Sequence, residues 1–268
     1  VYLTGIVRDN KRRKMSKSLG NSPDPIRLMK KYSADGVRVG MLLCSPAGND
    51  LLFDESLTQQ GRNFSNKIWN AFRLIMSWKV DPDLEQPAHS EAVVRWFKSQ
   101  MNRSIRRVDD QFRKYRISDA LMILYRLFWE DFSSWYLETV KPAPGKAMDR
   151  ETHERTTGFL EQMLHLLHPF MPFITEEIWQ LVRPRQQGES LMISGMPAAG
   201  KYDRNLIGQF GDIKEVITHI RSIRKDREIP FREQISLMIR SAAGGQYQAG
   251  LEPVIMKLAS VSQVEEIT

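Results

Sequence analysis

The sequence predicts a mainly α protein: a helix bundle, preceded by a short β/α segment and followed by the start of a small α/β unit. Three observations carry that prediction. From about 54 to 182, apolar residues recur at steps of three and four, the period of a helix with one buried face. Turn-forming clusters of Ser, Pro, Gly and Asn interrupt the chain at 45–50 and again over 191–205. After Pro230 the pattern becomes strand-like over 234–240, helical over 250–259 and strand-like over 261–267. The expected divisions are therefore 1–47, 48–195 and 196–268.

Taken in order, residues 1–7 read as a strand, a basic turn follows, and Pro25 starts a short helix to Lys31. Ser33 is placed to cap the next helix. In 62–78, Phe64, Ile68, Phe72, Ile75 and Trp78 share one side at 100° per residue, and Arg62, Asn66, Asn70, Arg73 and Ser77 share the other. The apolar side is an ordinary core face. The polar side holds no acid, unlike the mixed-sign pairs of a typical solvated face, which makes it a candidate RNA surface.

The helix over 92–115 places Val94, Phe97, Met101, Ile105, Val108, Phe112 and Tyr115 inward and carries many arginines, among them Arg95, Arg103, Arg106 and Arg107. Ser118 is expected to cap a helix over 119–140, whose aromatic side reads as core. Pro142, Pro144 and Gly145 end it. A fourth helix, 150–167, is stopped by His168-Pro169. Pro172 opens a fifth to Val182, with Glu176 and Glu177 favoured by its dipole. His165 and His168 lack a carboxylate or cysteine partner at ligand spacing, so core and turn roles are expected and no metal site is. A basic helix over 206–227 is built on Ile213, Val216, Ile217, Ile220 and Ile223.

Composition narrows the class. With 268 residues, 41% hydrophobic and 26% charged, the chain suits one large or two modest globular domains. It has no apolar run of membrane-spanning length and no secretory signal. Its one cysteine, Cys44, rules out an internal disulfide and suits a reducing, cytoplasmic setting. Both ends fall in strand-like sequence, so an excised piece of a longer protein is expected. The net charge of +7 is concentrated: nine Lys/Arg against Asp9 and Asp24 in residues 1–31 account for all of it. Elsewhere only local stripes can attract nucleic acid.

Most of that charge lies in Lys11-Arg12-Arg13-Lys14-Met15-Ser16-Lys17-Ser18-Leu19-Gly20-Asn21. A cationic loop that ends in Gly and offers free backbone N–H groups suits a polyphosphate, and lysine supplies movable point charges. The order Lys14-Met15-Ser16-Lys17-Ser18 resembles the KMSKS loop of class I aminoacyl-tRNA synthetases. The resemblance implies that the loop closes over ATP. Lys14 and Lys17 would then stabilise charge on the phosphates, Met15 would sit within the ATP-binding loop, and Ser16 and Ser18 would shape it. Tyr32-Ser33-Ala34-Asp35-Gly36-Val37-Arg38 is similar to the Tyr-Gly-Ala-Asp-Ala-Leu-Arg segment that follows the loop in synthetases for branched aliphatic amino acids.

Two further stretches, 127–138 and 168–179, look like the anticodon-binding helical domain shared by valyl-, isoleucyl- and leucyl-tRNA synthetases. Residues 48–51, 61–69 (Gly-Arg-Asn-Phe-Ser-Asn-Lys-Ile-Trp) and 223–231 (Ile-Arg-Lys-Asp-Arg-Glu-Ile-Pro-Phe) resemble the valyl members. The resemblance implies a ligase that makes valyl-tRNA from valine, ATP with Mg²⁺, and tRNA through valyl-adenylate, in a parent expected to be monomeric. The nucleotide fold and editing domain would lie upstream and a coiled-coil arm downstream, so this piece alone is expected to be inactive. It also implies tRNA contacts at Asn66, Lys67, Asn70 and Arg73, with Arg103, Arg106 and Arg107 on backbone phosphates. A stacking aromatic found beside the arginine in some members is Leu74 here. The alternatives are an isoleucyl-tRNA synthetase fragment and a non-catalytic helical RNA-binding or scaffold module.

Overall fold

The computed structural model describes residues 5–44, 49–240 and 251–267. The chain is mostly helical, and none of its described helices is long and apolar enough to cross a membrane. The turn cluster expected at 45–50 lies largely outside the described residues, as do residues 1–4 of the expected first strand. Two compact units are present, the first formed by Val1–Ser77, Asn102–Asp131 and Thr157–Gly200, the second by the remainder.

In the first unit a two-residue strand β1 (Val7–Arg8) pairs in parallel with β2 (Leu51–Leu52). Helix α1 (Pro25–Tyr32) starts on the Asp24 side chain, which accepts from the Ile26 N–H, with Pro25 in the first turn. Helix α2 (Ala34–Leu43) starts on Ser33, whose Oγ accepts from the Gly36 N–H. Helix α3 (Glu55–Met76) buries Phe64, Ile68, Ala71, Phe72 and Ile75. Helices α2 and α3 cross with backbones touching. A Cβ on Gly61 would lie 2.3 Å from the Gly36 carbonyl oxygen, and one on Gly40 would lie 2.6 Å from the Thr58 Cα. Only glycine permits that approach. Trp78 falls past the end of α3, outside its core face.

The second unit contains a parallel pair that periodicity had not indicated, β3 (Val80–Asp81) with β4 (Met148–Asp149). Helix α4 (Ala88–Arg113) begins in this unit and ends in the first. Helix α5 (Ile117–Arg126) follows in the first unit without the Ser118 cap that was expected. The Ser118 hydroxyl instead donates to the Leu42 carbonyl at 2.6 Å, tying α5 to α2. From Leu127 to Tyr136 the helix widens to a π-helix before α6 (Leu137–Val140). Phe128, Phe132 and Tyr136 are wholly buried along it. Phe97 meets Phe132 and Tyr136 with ring centroids 5.3 and 5.0 Å apart.

Helix α7 (Arg150–Leu167) opens on Asp149, whose carboxylate accepts from the Thr152 N–H at 2.7 Å. Helix α8 (Pro172–Val182) has no acid in its first turn and no side-chain cap of its own. The expected dipole role of Glu176 is not observed; its carboxylate accepts from the Ser190 hydroxyl and the Leu191 N–H. The start of α8 is served instead by Asp35 of α2, which accepts from the N–H groups of Phe173 and Ile174 at 3.3 and 2.7 Å. Burial pushes the Asp35 carboxyl up, against the pull of those N–H groups. Arg38, one turn on, donates to the carbonyls of Pro169 and Phe170.

Helix α9 (Arg204–Asp226) buries Ile207, Phe210, Ile213, Ile217, Ile220 and Arg224. The expected core position Ile223 is 58% exposed, while Arg224 is 3% exposed. The inward line 213, 217, 220 continues to 224, so an arginine occupies it. Its guanidinium donates to the carbonyls of Pro230, Glu233 and Ser260 at 2.7–2.9 Å. Those bonds fasten the terminal strand–helix–strand unit, in which β5 (Ile235–Arg240) and β6 (Val261–Ile267) pair in parallel around α10 (Glu252–Ala259).

Candidate functional site

The lysine loop is one end of a small hairpin. The Asp9 N–H donates to Arg13, the Met15 N–H to Val7, and the turn between them is closed by Arg12 at φ 62°. Asp9 is the hub. One carboxylate oxygen accepts from the N–H groups of Lys11 and Arg13, and the other accepts from the Arg13 guanidinium and the Asn21 amide. Bonds from Asn21 and Arg13 hold the Asp9 carboxyl well below the usual carboxylate range.

Asn21 closes the other end. Its amide also donates to the Lys14 carbonyl at 3.2 Å, and its oxygen accepts from the Ser16 N–H at 2.9 Å. Lys14 and Ser16 are thus fixed on either side of Met15, which is half-buried. Beyond them Lys17–Gly20 forms a turn closed by the Gly20 N–H on the Lys17 carbonyl, with Gly20 at φ 62°. The Ser16 hydroxyl accepts from the Leu19 N–H and lies 3.1 Å from the Ser18 hydroxyl. Lys14 and Lys17 are exposed, and neither side chain forms a hydrogen bond or ion pair among the described residues. The loop therefore offers two free ammonium groups on a braced base.

A second candidate surface lies along α3. Asn66, Asn70 and Arg73 are exposed in one row, and none of their side chains has a hydrogen bond or ion pair among the described residues. The ends of the predicted stripe are occupied: Arg62 donates to the Lys31 carbonyl and Ser77 to the Leu74 carbonyl. Lys67 is half-buried, with its ammonium 5.4 Å from the centre of the Trp129 ring. Trp129 stacks on Tyr125, which packs against Phe64 of α3. Sequence had assigned Phe64 and Tyr125 to core; with Trp129 they also give a cationic–aromatic edge next to the row.

The arginines of α4 divide. Arg107 is exposed and makes no such contact among the described residues, Arg106 reaches the Gly200 carbonyl at 3.5 Å, and Arg103 is half-buried. Among the described residues, no group of three or more His, Cys, Asp or Glu is placed to hold a metal. His168 Nδ1 lies 2.8 Å from the Thr175 hydroxyl and His165 Nδ1 lies 3.0 Å from the Ser194 hydroxyl, so the two rings serve separate contacts.

Comparison with known proteins identifies the family. Residues 94–239 match the family described as the anticodon-binding domain of tRNA ligase, and residues 1–54 match class I tRNA synthetases (I, L, M and V). Valine–tRNA ligases from Parabacteroides distasonis and Porphyromonas gingivalis are each 52% identical over 99% and 100% of this chain, and one from Fusobacterium nucleatum is 35% identical over 100%. The chain spans only 30–31% of the length of those relatives. A chain from the ternary complex of Agrobacterium radiobacter K84 agnB2 LeuRS with tRNA and LeuAMS superposes over 77% of this chain and 24% of its own length. Its TM-score is 0.53 at 23% identity, a likeness of fold. With more than half its residues inside that match, the chain belongs to the anticodon-binding domain family of tRNA ligases and is homologous along its whole length to part of the valine–tRNA ligases.

Proposed function

We propose that this chain is the part of a valine–tRNA ligase that grips ATP with its lysine loop and reads the tRNA anticodon with its helices. The full-length enzyme joins valine to its tRNA: the valine carboxylate attacks the α-phosphorus of ATP and pyrophosphate leaves, then a tRNA ribose hydroxyl attacks the carbonyl of the valyl-adenylate, taking the valyl group and releasing AMP. Lys14 and Lys17 neutralise charge gathering on the departing phosphates, while Asp9 and Asn21 hold the loop base so that the lysines need not be organised during the reaction. Mg²⁺ carried with ATP would supply further neutralisation of the phosphates, and Lys14 and Lys17 of this chain would meet phosphate oxygens. Functionally the chain divides near residues 47 and 195, the whole enzyme is a monomer, and this part alone does not activate valine.

The observation that carries the tRNA reading is the row Asn66, Asn70 and Arg73, three polar side chains without partners among the described residues, on a helix whose opposite face is core. Unstacked anticodon bases are read by such amides and guanidiniums through their edges. Arg103, Arg106 and Arg107 add attraction to the ribose–phosphate backbone. The test is binding of valine tRNA, with native and substituted anticodons, to the full-length enzyme. Arg73→Ala should weaken the native complex by about 1–3 kcal/mol and narrow its advantage over substituted tRNAs. Equal affinity of the unaltered enzyme for every tRNA would remove anticodon reading from this surface.

A further inference from the structure

The second unit carries a cationic recess that the anticodon reading does not use. It lies where the first half of α4 meets the segment entering α9, has a volume of about 660 Å³, and is lined by Arg95, Lys98, Lys201, Tyr202, Arg204 and Asn205. Its walls are firm. The Trp96 and Phe210 rings stack 3.8 Å apart between α4 and α9, and the Asp203 N–H donates to the Ser99 hydroxyl at 3.3 Å.

Four of the six named side chains are cations. The carboxylate among the lining residues, Asp203, is engaged in capping α9 through the Leu206 N–H at 3.1 Å. Arg95 and Lys98 stand one turn apart on α4, both exposed, and neither makes a hydrogen bond or ion pair among the described residues. Arg204 lies against the Tyr202 ring, 5.9 Å from its centre, and makes no hydrogen bond or ion pair among the described residues. The recess also receives the N-terminus of α9, whose dipole adds partial positive charge to that of the side chains.

We propose that this recess binds the ribose–phosphate backbone of RNA, as a contact of the tRNA additional to the anticodon row; the identity of that RNA rests on the function proposed above. Cations spread along two elements, with an aromatic ring and an amide between them, suit a strand of phosphates and sugars better than one small anion. Because it meets backbone, the recess contributes affinity and salt dependence without sequence preference.

The experiment measures binding of valine tRNA to the full-length protein from about 50 to 200 mM KCl, for the native protein and for Arg95→Ala/Lys98→Ala/Arg204→Ala. The triple variant should bind native and anticodon-substituted tRNA more weakly by one common factor, about tenfold or more. The slope of log affinity against log salt should become shallower by about two to three. Arg95→Lys/Lys98→Arg, which keeps the charges, should retain the native slope and fold alike. An unchanged slope in the triple variant would overturn the proposal. So would a loss confined to the native anticodon, or inorganic phosphate at a few millimolar reproducing the whole loss in the native protein, which would make this a small-anion site. Failure of the anticodon reading looks different: Arg73→Ala would leave discrimination intact while the salt slope still responded to the recess.

Discussion

The lysine loop and the stretch 221–227 are both rich in cations, and the fold uses them in opposite ways. In the loop, Arg13 is committed to Asp9, while Lys14 and Lys17 stand free among the described residues. In the second stretch, Arg221 donates to the Leu258 carbonyl and buried Arg224 to three carbonyls, so these two charges hold a strand–helix–strand unit together. Availability therefore separates a binding cation from a structural one; local abundance does not. Availability is set by what the rest of the chain brings near the side chain.

Exchanging charge for methyl at each place should give opposite signatures. Lys17→Ala in the full-length enzyme should leave thermal unfolding unchanged and slow valine-dependent ATP–pyrophosphate exchange by about 10²–10³-fold, the usual worth of one preorganised donor to a charge-developing centre. Unaltered exchange would move Lys17 out of the ATP grip. Arg224→Ala should do the reverse at the level of stability. Three carbonyls lose a buried charged donor, so the second unit should be destabilised by about 3 kcal/mol. Arg224→Ile, which satisfies the helical hydrophobic period, should fail to restore it. Were isoleucine to stabilise the protein, the inward arginine would be a tolerated accident rather than a fastening.

A third substitution tests how the loop-bearing segment is joined to the helices within the first unit. Asp35 caps α8 from another helix, and Arg38 holds the turn before it. Asp35→Ala should cost about 2 kcal/mol in chemical denaturation, from a lost cap and two bonds to a buried carboxylate. A change below a few tenths would mean that water replaces the carboxylate at the start of α8.

The parts of the fold that were legible in sequence are those fixed by local physics. Helix α7 ends where His168-Pro169 stops it, and α8 begins at its proline. The glycines of α2 and α3 gave no such signal, because their purpose is each other across 25 residues, Gly36 with Gly61. The π-helical run over 127–136 likewise leaves no mark in composition, since its aromatic residues suit either winding. At the candidate site, the row on α3 was visible as an acid-free stripe. Sequence could not show that Arg62 and Ser77 are committed to carbonyls while Asn66, Asn70 and Arg73 are free among the described residues. Asp9 and Asn21 were also passed over. An acid in a basic run reads as simple neutralisation until its five hydrogen bonds are seen.

Ser33 gives the smallest effect. It links α1 to α2 at φ 68° and ψ 161°, a region that glycine occupies freely and other residues enter at a cost of about 1–3 kcal/mol. The similar segment in related synthetases has glycine at this place, whereas here serine gains a cap, since its Oγ accepts from the Gly36 N–H at 3.1 Å. Replacing an N-cap serine by glycine costs only a few tenths of a kcal/mol, and the looser unfolded chain costs about 0.4–1 kcal/mol more. Relief of strain outweighs both, so Ser33→Gly should stabilise the first unit by about 1 kcal/mol, and Ser33→Ala, which keeps the strain and loses the cap, should destabilise it. The two unfolding midpoints should move in opposite directions from the native value. If both fall, the hydroxyl cap governs this junction; if Ser33→Gly alone rises, the lysine-loop segment is joined to its helices through a backbone under load.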